Sequence, residues 1–224
     1  MPPRRRWQWL TALVAFVLVG LTAALVMVDP ARPIFQGLDD WWHTLSAGPR
    51  SGVPQPMINA LDAFGRPTGV VVVLLIMVLL GVLRRWWAVL FAALSYIAPS
   101  VVAQILKYVV DRPRPPHPLV TVDHGSFPSG HAVTAAAFVI MVGALLTPPA
   151  RRIWWPGGIG FVVVMAWSRT YVSAHWASDT VAGALVGAGV ALVVWWLLAP
   201  LLAREVAQRA DHDDGDHAAR PASA

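Results

Sequence analysis

The chain has 224 residues, of which 57% are hydrophobic and only 13% charged, with a mean hydropathy of +0.58 and a formal charge of +5. That balance is too apolar for a soluble domain of this length. The absence of cysteine excludes disulfide and thiol chemistry, and nothing in the charge pattern points to nucleic acid.

Six uncharged runs follow in order: Leu10–Val28, Pro67–Leu83, Trp86–Leu106, Ala132–Thr147, Ile153–Trp167 and Thr180–Leu202. A helix needs roughly 20 apolar residues to cross the hydrocarbon, with a range of about 17–25. The first, third and sixth runs meet this. The second is marginal, and the fourth and fifth qualify if polar residues cap them. The reading is an all-α polytopic membrane protein, six transmembrane helices in one bundle over residues 1–203, with short outer interfacial helices. The alternative is a soluble helical bundle with an unusually apolar core.

Arg4–Arg6 ahead of the first run imitates a secretory signal. The run is longer than a signal core and ends in Met27-Val28-Asp29-Pro30 without a small-x-small cleavage site, so an uncleaved anchor is expected. Residues 29–66 form the longest outer segment. Phe35, Leu38, Trp41, Trp42 and Leu45 share a helical stripe, with Asp39, Asp40 and His43 elsewhere, and Met57, Ile58, Leu61 and Phe64 repeat the spacing. Short amphipathic helices on the outer interface are expected, either flanking a lipid entrance or simply packed on the bundle. Gly183, Gly187 and Ala191, four apart, allow a neighbouring helix to come close. Residues 204–224, with Asp211, Asp213, Asp214 and Asp216, read as a disordered cytoplasmic tail.

Orientation follows from the basic residues. With the N-terminus inside, Arg4–Arg6, Arg84, Arg85, Arg151, Arg152, Arg204, Arg209 and Arg220 are cytoplasmic. Arg32, Arg50, Arg66, Lys107, Arg112, Arg114 and Arg169 are then outside, which satisfies the positive-inside rule. Trp86-Trp87, Trp154-Trp155 and Trp195-Trp196 fall at inner ends of runs, as interfacial aromatic residues do. Both termini are expected in the cytoplasm of a cell-membrane protein, and the chemistry below on the outer side.

That chemistry lies in three strings: Lys107-x6-Arg114-Pro115, Pro128-Ser129-Gly130-His131, and Ser168-Arg169-x5-His175-x3-Asp179. Lys107, the only lysine, and Arg114 flank a proline-rich loop that can hold two cations in place. Arg112, between them, reads as a snorkelling residue at a helix end. Ser129 and Gly130 open the fourth run, where free N–H groups and the helix dipole favour an anion. His175 and Asp179 share a helical face, so the carboxylate could accept the Nδ1 proton and leave Nε2 to attack phosphorus. Three cations, two imidazoles and a carboxylate suit phosphoryl transfer. A zinc site on His131, His175 and Asp179 is the alternative, opposed by the flanking cations.

The three strings, in this order and spacing, resemble the signature of the type 2 phosphatidic acid phosphatase (PAP2) superfamily, K-x6-R-P, P-S-G-H and S-R-x5-H-x3-D, across roughly residues 100 to 185. The resemblance implies a phosphohistidine on His175, with His131 as general acid and base and Asp179 orienting His175. It assigns phosphate binding to Lys107, Arg114, Ser129, Gly130 and Arg169, with no metal or other cofactor. The implied partners are the bilayer and a membrane lipid phosphate, with no nucleic acid and no required protein. Undecaprenyl diphosphate is favoured, then phosphatidylglycerol phosphate or phosphatidate. The alternatives are a lipid phosphotransferase using the same residues, a vanadate-dependent haloperoxidase, which six spans disfavour, and a non-catalytic transporter or scaffold.

Overall fold

The computed structural model describes residues 6–47, 55–65 and 67–218, which form eight helices and no strand. Five basic residues that enter the orientation argument, Arg4, Arg5, Arg50, Arg66 and Arg220, lie outside the described residues, as does the end of the expected tail from residue 219. The helices are α1 (Arg6–Val28), α2 (Gln36–Ala47), α3 (Gln55–Phe64), α4 (Pro67–Val82), α5 (Trp86–Val110), α6 (Gly130–Leu145), α7 (Pro148–Tyr171) and α8 (Ala177–Ala218).

Each of the six apolar runs becomes a helix, yet they are unequal in span. Only α1, α5 and residues Ala177–Arg209 of α8 are long and apolar enough to cross a membrane alone. α3 and α4, bent by 55° at their junction, make a fourth if taken as one broken span. The sixteen residues of α6 reach about 24 Å, short of the roughly 30 Å hydrocarbon core. α7 carries Arg151, Arg152 and, within the unbroken helix, Pro156-Gly157-Gly158, which dilute its apolar character. The outward faces of α1, α4 and α5 nevertheless expose Val14, Val17, Leu75, Val78, Ile97 and Ile105 in unbroken rows. Water would not tolerate that surface; lipid would.

α8 is the central post, packed against α1, α5, α6 and α7. On α1, Ala12, Ala15, Val19, Ala23 and Val26 recur at helical spacing and are buried. Val19, Ala23 and Val26 join Ala103, Val110, Phe127, Val133, Ala182 and Val186 in one cluster beneath the three strings. Small residues on α8 let α6 come close: a Cβ on Gly187 would lie 2.1 Å from the Val133 carbonyl oxygen, and one on Gly183 2.5 Å from that of Ser129. The glycine at 183 thus seats the Pro128–His131 turn against α8.

Past Ala203, within the stretch read as a tail, α8 continues as helix to Ala218. Residues 203–210 are good helix formers, and Glu205 anchors them. Its Oε1 accepts the Trp87 N–H at 2.7 Å and Oε2 lies 3.6 Å from Arg85 Nε. The Arg85–Trp87 turn and the later part of α8 therefore share the end of the bundle opposite the three strings.

α2 packs against α7 and α8. Its apolar stripe points outward, with Leu38, Trp41 and Leu45 exposed, while Gln36 and Asp39 on the other side are buried. Trp42 Nε1 donates to Thr170 Oγ1 at 3.0 Å, and His43 Nε2 lies 2.9 Å from Ser173 Oγ. The helix is amphipathic, but it holds the protein by its polar face.

Candidate active site

The C-terminal ends of α5 and α7 and the N-terminal ends of α6 and α8 meet at one end of the bundle. A cavity of about 320 Å³ there is lined by Lys107, Arg114, Gly130, His131, Arg169 and His175, so residues from all three strings face one space.

Lys107 sits in the last turn of α5, which Asp111 ends in the left-handed conformation (φ 40°). The loop that follows turns back on it. Gly125, at φ 56°, presents its carbonyl to Lys107 Nζ and to Arg114 Nη2, each at 2.8 Å. Asp123 pairs with both cations as well, its carboxylate taking a hydrogen bond from Arg114 and lying 3.8 Å from Lys107 Nζ. Arg114 Nη1 donates to the Ala174 carbonyl at 2.6 Å and lies 3.3 Å from His175 Nε2.

The partners of His175 determine its tautomer. Nδ1 lies 2.7 Å from the Ser126 carbonyl, which can only accept, so Nδ1 carries the proton. Nε2 faces the Arg114 guanidinium, which can only donate, so Nε2 presents its lone pair. Burial, and then the charges of Lys107, Arg114 and His131, hold the ring's pKa well below the ordinary 6.5. The imidazole is therefore neutral and nucleophilic at neutral pH.

Asp179 does not receive the Nδ1 proton, as the i,i+4 spacing suggested. Its Oδ2 is 3.9 Å from Nδ1, beyond hydrogen-bond range, because that oxygen accepts the Trp176 N–H at 2.9 Å. Its Oδ1 takes Arg112 Nη1 at 2.7 Å. Asp179 thus braces the turn that carries His175, and a backbone carbonyl sets the tautomer.

Arg112 is not a snorkelling residue. It is 1% exposed, with Nη1 also bonded to Ser178 Oγ and Nη2 to Gln36 Oε1 and Asp39 Oδ2. The rings of Phe35 and Trp176 lie 5.6 and 5.5 Å from its guanidinium carbon. Asp39 in turn accepts the N–H and hydroxyl of Ser178. A loop arginine, an acid on α2 and an acid on α8 form one buried knot behind the site.

Ser129 is the N-cap of α6, fully buried, and its Oγ has no hydrogen-bond partner among the described residues. An orphaned hydroxyl beside the free N–H groups of a helix start suits an anion. A Cβ on Gly130 would meet no protein atom within 4 Å, so space for a ligand is left there. On the far wall, Asp62 of α3 accepts Arg169 Nη1 at 2.6 Å, and its carbonyl lies 3.1 Å from His131 Nε2.

Asp62 and Asp123 escaped the sequence reading, which gave Asp39 and Arg112 no part in the site. The available signal was acid in an otherwise apolar outer segment, since a carboxylate beside a membrane needs a cation. Nothing in the spacing named that cation. No group of three or more His, Asp or Glu side chains among the described residues is placed to hold a metal ion. Of the three residues of the zinc alternative, Asp179 is turned toward Arg112 and His131 toward Asp62.

Comparison with known proteins agrees with this architecture. A family model described as the PAP2 superfamily matches residues 86–201. The decaprenylphosphoryl-5-phosphoribose phosphatase of Mycobacterium tuberculosis is 33% identical over 130 residues, 54% of this chain and 68% of that protein. The undecaprenyl-diphosphatase of Sulfolobus acidocaldarius is 32% identical over 111 residues, 45% of this chain and 50% of that protein. In fold, the chain resembles the crystal structure of the transmembrane PAP2 type phosphatidylglycerolphosphate phosphatase from Bacillus subtilis, with a TM-score of 0.71 at 20% identity. That match covers 82% of this chain and 94% of the other.

Proposed function

The chain belongs to the PAP2 superfamily, and from that premise we propose that it is a membrane lipid phosphate phosphatase acting through a phosphohistidine on His175. The observation that carries this reading is the tautomer of His175, whose Nε2 lies against Arg114 in a cavity also lined by Lys107 and Arg169.

In the first step the Nε2 lone pair forms a bond to phosphorus while the phosphorus–oxygen bond to the leaving group breaks, and His131 gives its proton to that oxygen. Lys107, Arg114, Arg169, the Ser129 hydroxyl and the N–H groups opening α6 hold the equatorial oxygens. In the second step His131 takes a proton from water, the hydroxide oxygen bonds to phosphorus, and the phosphorus–nitrogen bond breaks. These cations supply the charge stabilisation that other phosphoryl-transfer sites take from metal ions, so the reaction is proposed to be metal-independent.

The substrate class is a phosphate or diphosphate on a long hydrocarbon. The relatives named above act on an undecaprenyl diphosphate and on a decaprenyl-linked phosphoribose, and undecaprenyl diphosphate is kept as the leading candidate. The bundle is proposed to span the membrane six times, α6 and α7 included, with both termini cytoplasmic and the site outside.

The test is phosphate release by the purified chain from a panel of prenyl and glycerolipid phosphates, with and without EDTA, followed by quench under non-acidic conditions and mass spectrometry. Release that survives EDTA, with phosphate trapped on His175, is expected. Recovery only after adding zinc or magnesium would overturn the cation account. Phosphate found on His131 would invert the two histidine roles. Transfer to an acceptor alcohol without free phosphate would make the protein a phosphotransferase.

A further inference from the structure

α3 touches two chemically different spaces. Its Asp62 carboxylate holds Arg169 Nη1 at 2.6 Å and lies 3.4 Å from His131 Nε2. Arg169 is 1% exposed, and a guanidinium so far from water requires an anion. In the mechanism above, that anion is the phosphoryl group, and His131 faces the leaving oxygen. A carboxylate on both partners therefore stands where the substrate's charge must go. Asp62 and phosphate cannot both have them.

Two residues on, the Phe64 ring meets Phe138 and Phe161 edge-on, with centroids 5.4 and 4.9 Å apart. The same ring walls a second cavity, of about 460 Å³, between α6 and α7, whose other walls include Ile153, Trp154 and Gly158. That space is apolar, and its wall meets the first cavity at the next residue, because Gly65 lines the phosphate side. Contact there is tight. A Cβ on Gly65 would fall 1.8 Å from the Cδ2 of His131, so the residue following α3 is pressed against the imidazole.

Resting on the phosphatase reading, we propose that α3 makes this site select a phosphate carried on a hydrocarbon over free phosphate. Asp62 occupies Arg169 and His131 until a lipid tail enters the apolar cavity at Phe64 and draws α3 aside. Free phosphate has no tail and must displace the carboxylate unaided. Once the phosphohistidine is hydrolysed and the cleaved lipid has left, Asp62 returns to Arg169, and inorganic phosphate is expelled. The tail-binding site is the Phe64, Phe138 and Phe161 cavity, and Asp62 is the residue that couples it to the chemistry.

The experiment compares wild type with Asp62→Asn in detergent, measuring inhibition by inorganic phosphate and vanadate and kcat/KM for a lipid phosphate and a soluble aryl phosphate. The amide keeps the shape and removes the competing charge. The Ki for phosphate should fall about tenfold or more, and the preference for the lipid substrate should shrink by a similar factor. Asp62→Glu, which keeps the carboxylate, should stay nearer to wild type in both. An unchanged or raised Ki in Asp62→Asn overturns the proposal and leaves Asp62 as a positioning residue for His131. Should Asp62→Asn not fold, Phe64→Leu carries the test: loosening α3 should also lower the Ki, and an unchanged Ki overturns the proposal. Failure of the phosphatase reading looks different, since wild type would then release no phosphate from any lipid.

Discussion

Arg112 Nη1 and Asp179 Oδ1 are 2.7 Å apart, and neither side chain reaches solvent. Through Nη2 the same guanidinium holds Asp39 of α2 at 2.8 Å. One arginine thus ties the outer helix, the proline-rich loop and the start of α8 together, and His175 rides on the turn between them. Arg112→Ala would leave two carboxylates buried without a counter-charge, a loss of about 3–5 kcal/mol for breaking such a pair. A large fall in melting temperature in detergent is expected, together with loss of turnover. Arg112→Lys should recover little, because an ammonium cannot fork between two acids. Since Asp179 acts through Arg112 and the Trp176 N–H, the Arg112→Ala, Asp179→Asn pair should be little worse than Arg112→Ala alone. Additive losses would show that Asp179 works on His175 independently.

The two histidines should separate by leaving group. His175→Ala removes the nucleophile and should abolish turnover on every substrate. His131→Ala removes the proton donor, so a lipid alkoxide should suffer most, by roughly 10²–10⁴-fold. An aryl phosphate, whose leaving group needs little protonation, should retain a larger fraction of its rate. Equal losses on both substrates would rule His131 out as general acid.

His175 also makes a pH prediction whose sign follows from its depressed pKa. Below about 6.5 the unfolded chain binds a proton that the folded ring refuses. The stability contribution is therefore complete above pH 6.5 and declines as pH falls toward the depressed folded value, at up to about 1.4 kcal/mol per pH unit. Melting temperatures at pH 7.5 and 5.5 should differ more in wild type than in His175→Gln. A difference of the same size in both would mean that the ring protonates normally in the folded state.

Topology can be read with single cysteines, since the chain has none of its own. Ser126 and Ser173 on the catalytic side are fully buried and unsuitable, whereas Leu119 there is exposed, as is Thr147 at the opposite end between α6 and α7. Leu119→Cys should react with an impermeant thiol reagent on intact cells, and Thr147→Cys only after permeabilisation. The reverse pattern would place the site in the cytoplasm.

The apolar helices and the shared location of the three strings were legible in the sequence. All six apolar runs are helical, and Lys107, Arg114, Gly130, His131, Arg169 and His175 line one cavity, because helix-forming runs and local strings are encoded over short distances. What only the tertiary structure decided is which charges meet. The spacing of His175 and Asp179 named a plausible pair, but Arg112 sits 67 residues from Asp179 in sequence and captures it. Periodicity also marked α2 as amphipathic without saying which face would be covered. In lipid the apolar stripe is content outside, so Gln36 and Asp39 turn inward to a buried arginine. Asp62 likewise meets Arg169 across 107 residues, for no reason visible in either neighbourhood. A buried charge is stable only beside its opposite, and the chain's path in space, which no local pattern records, supplies that partner.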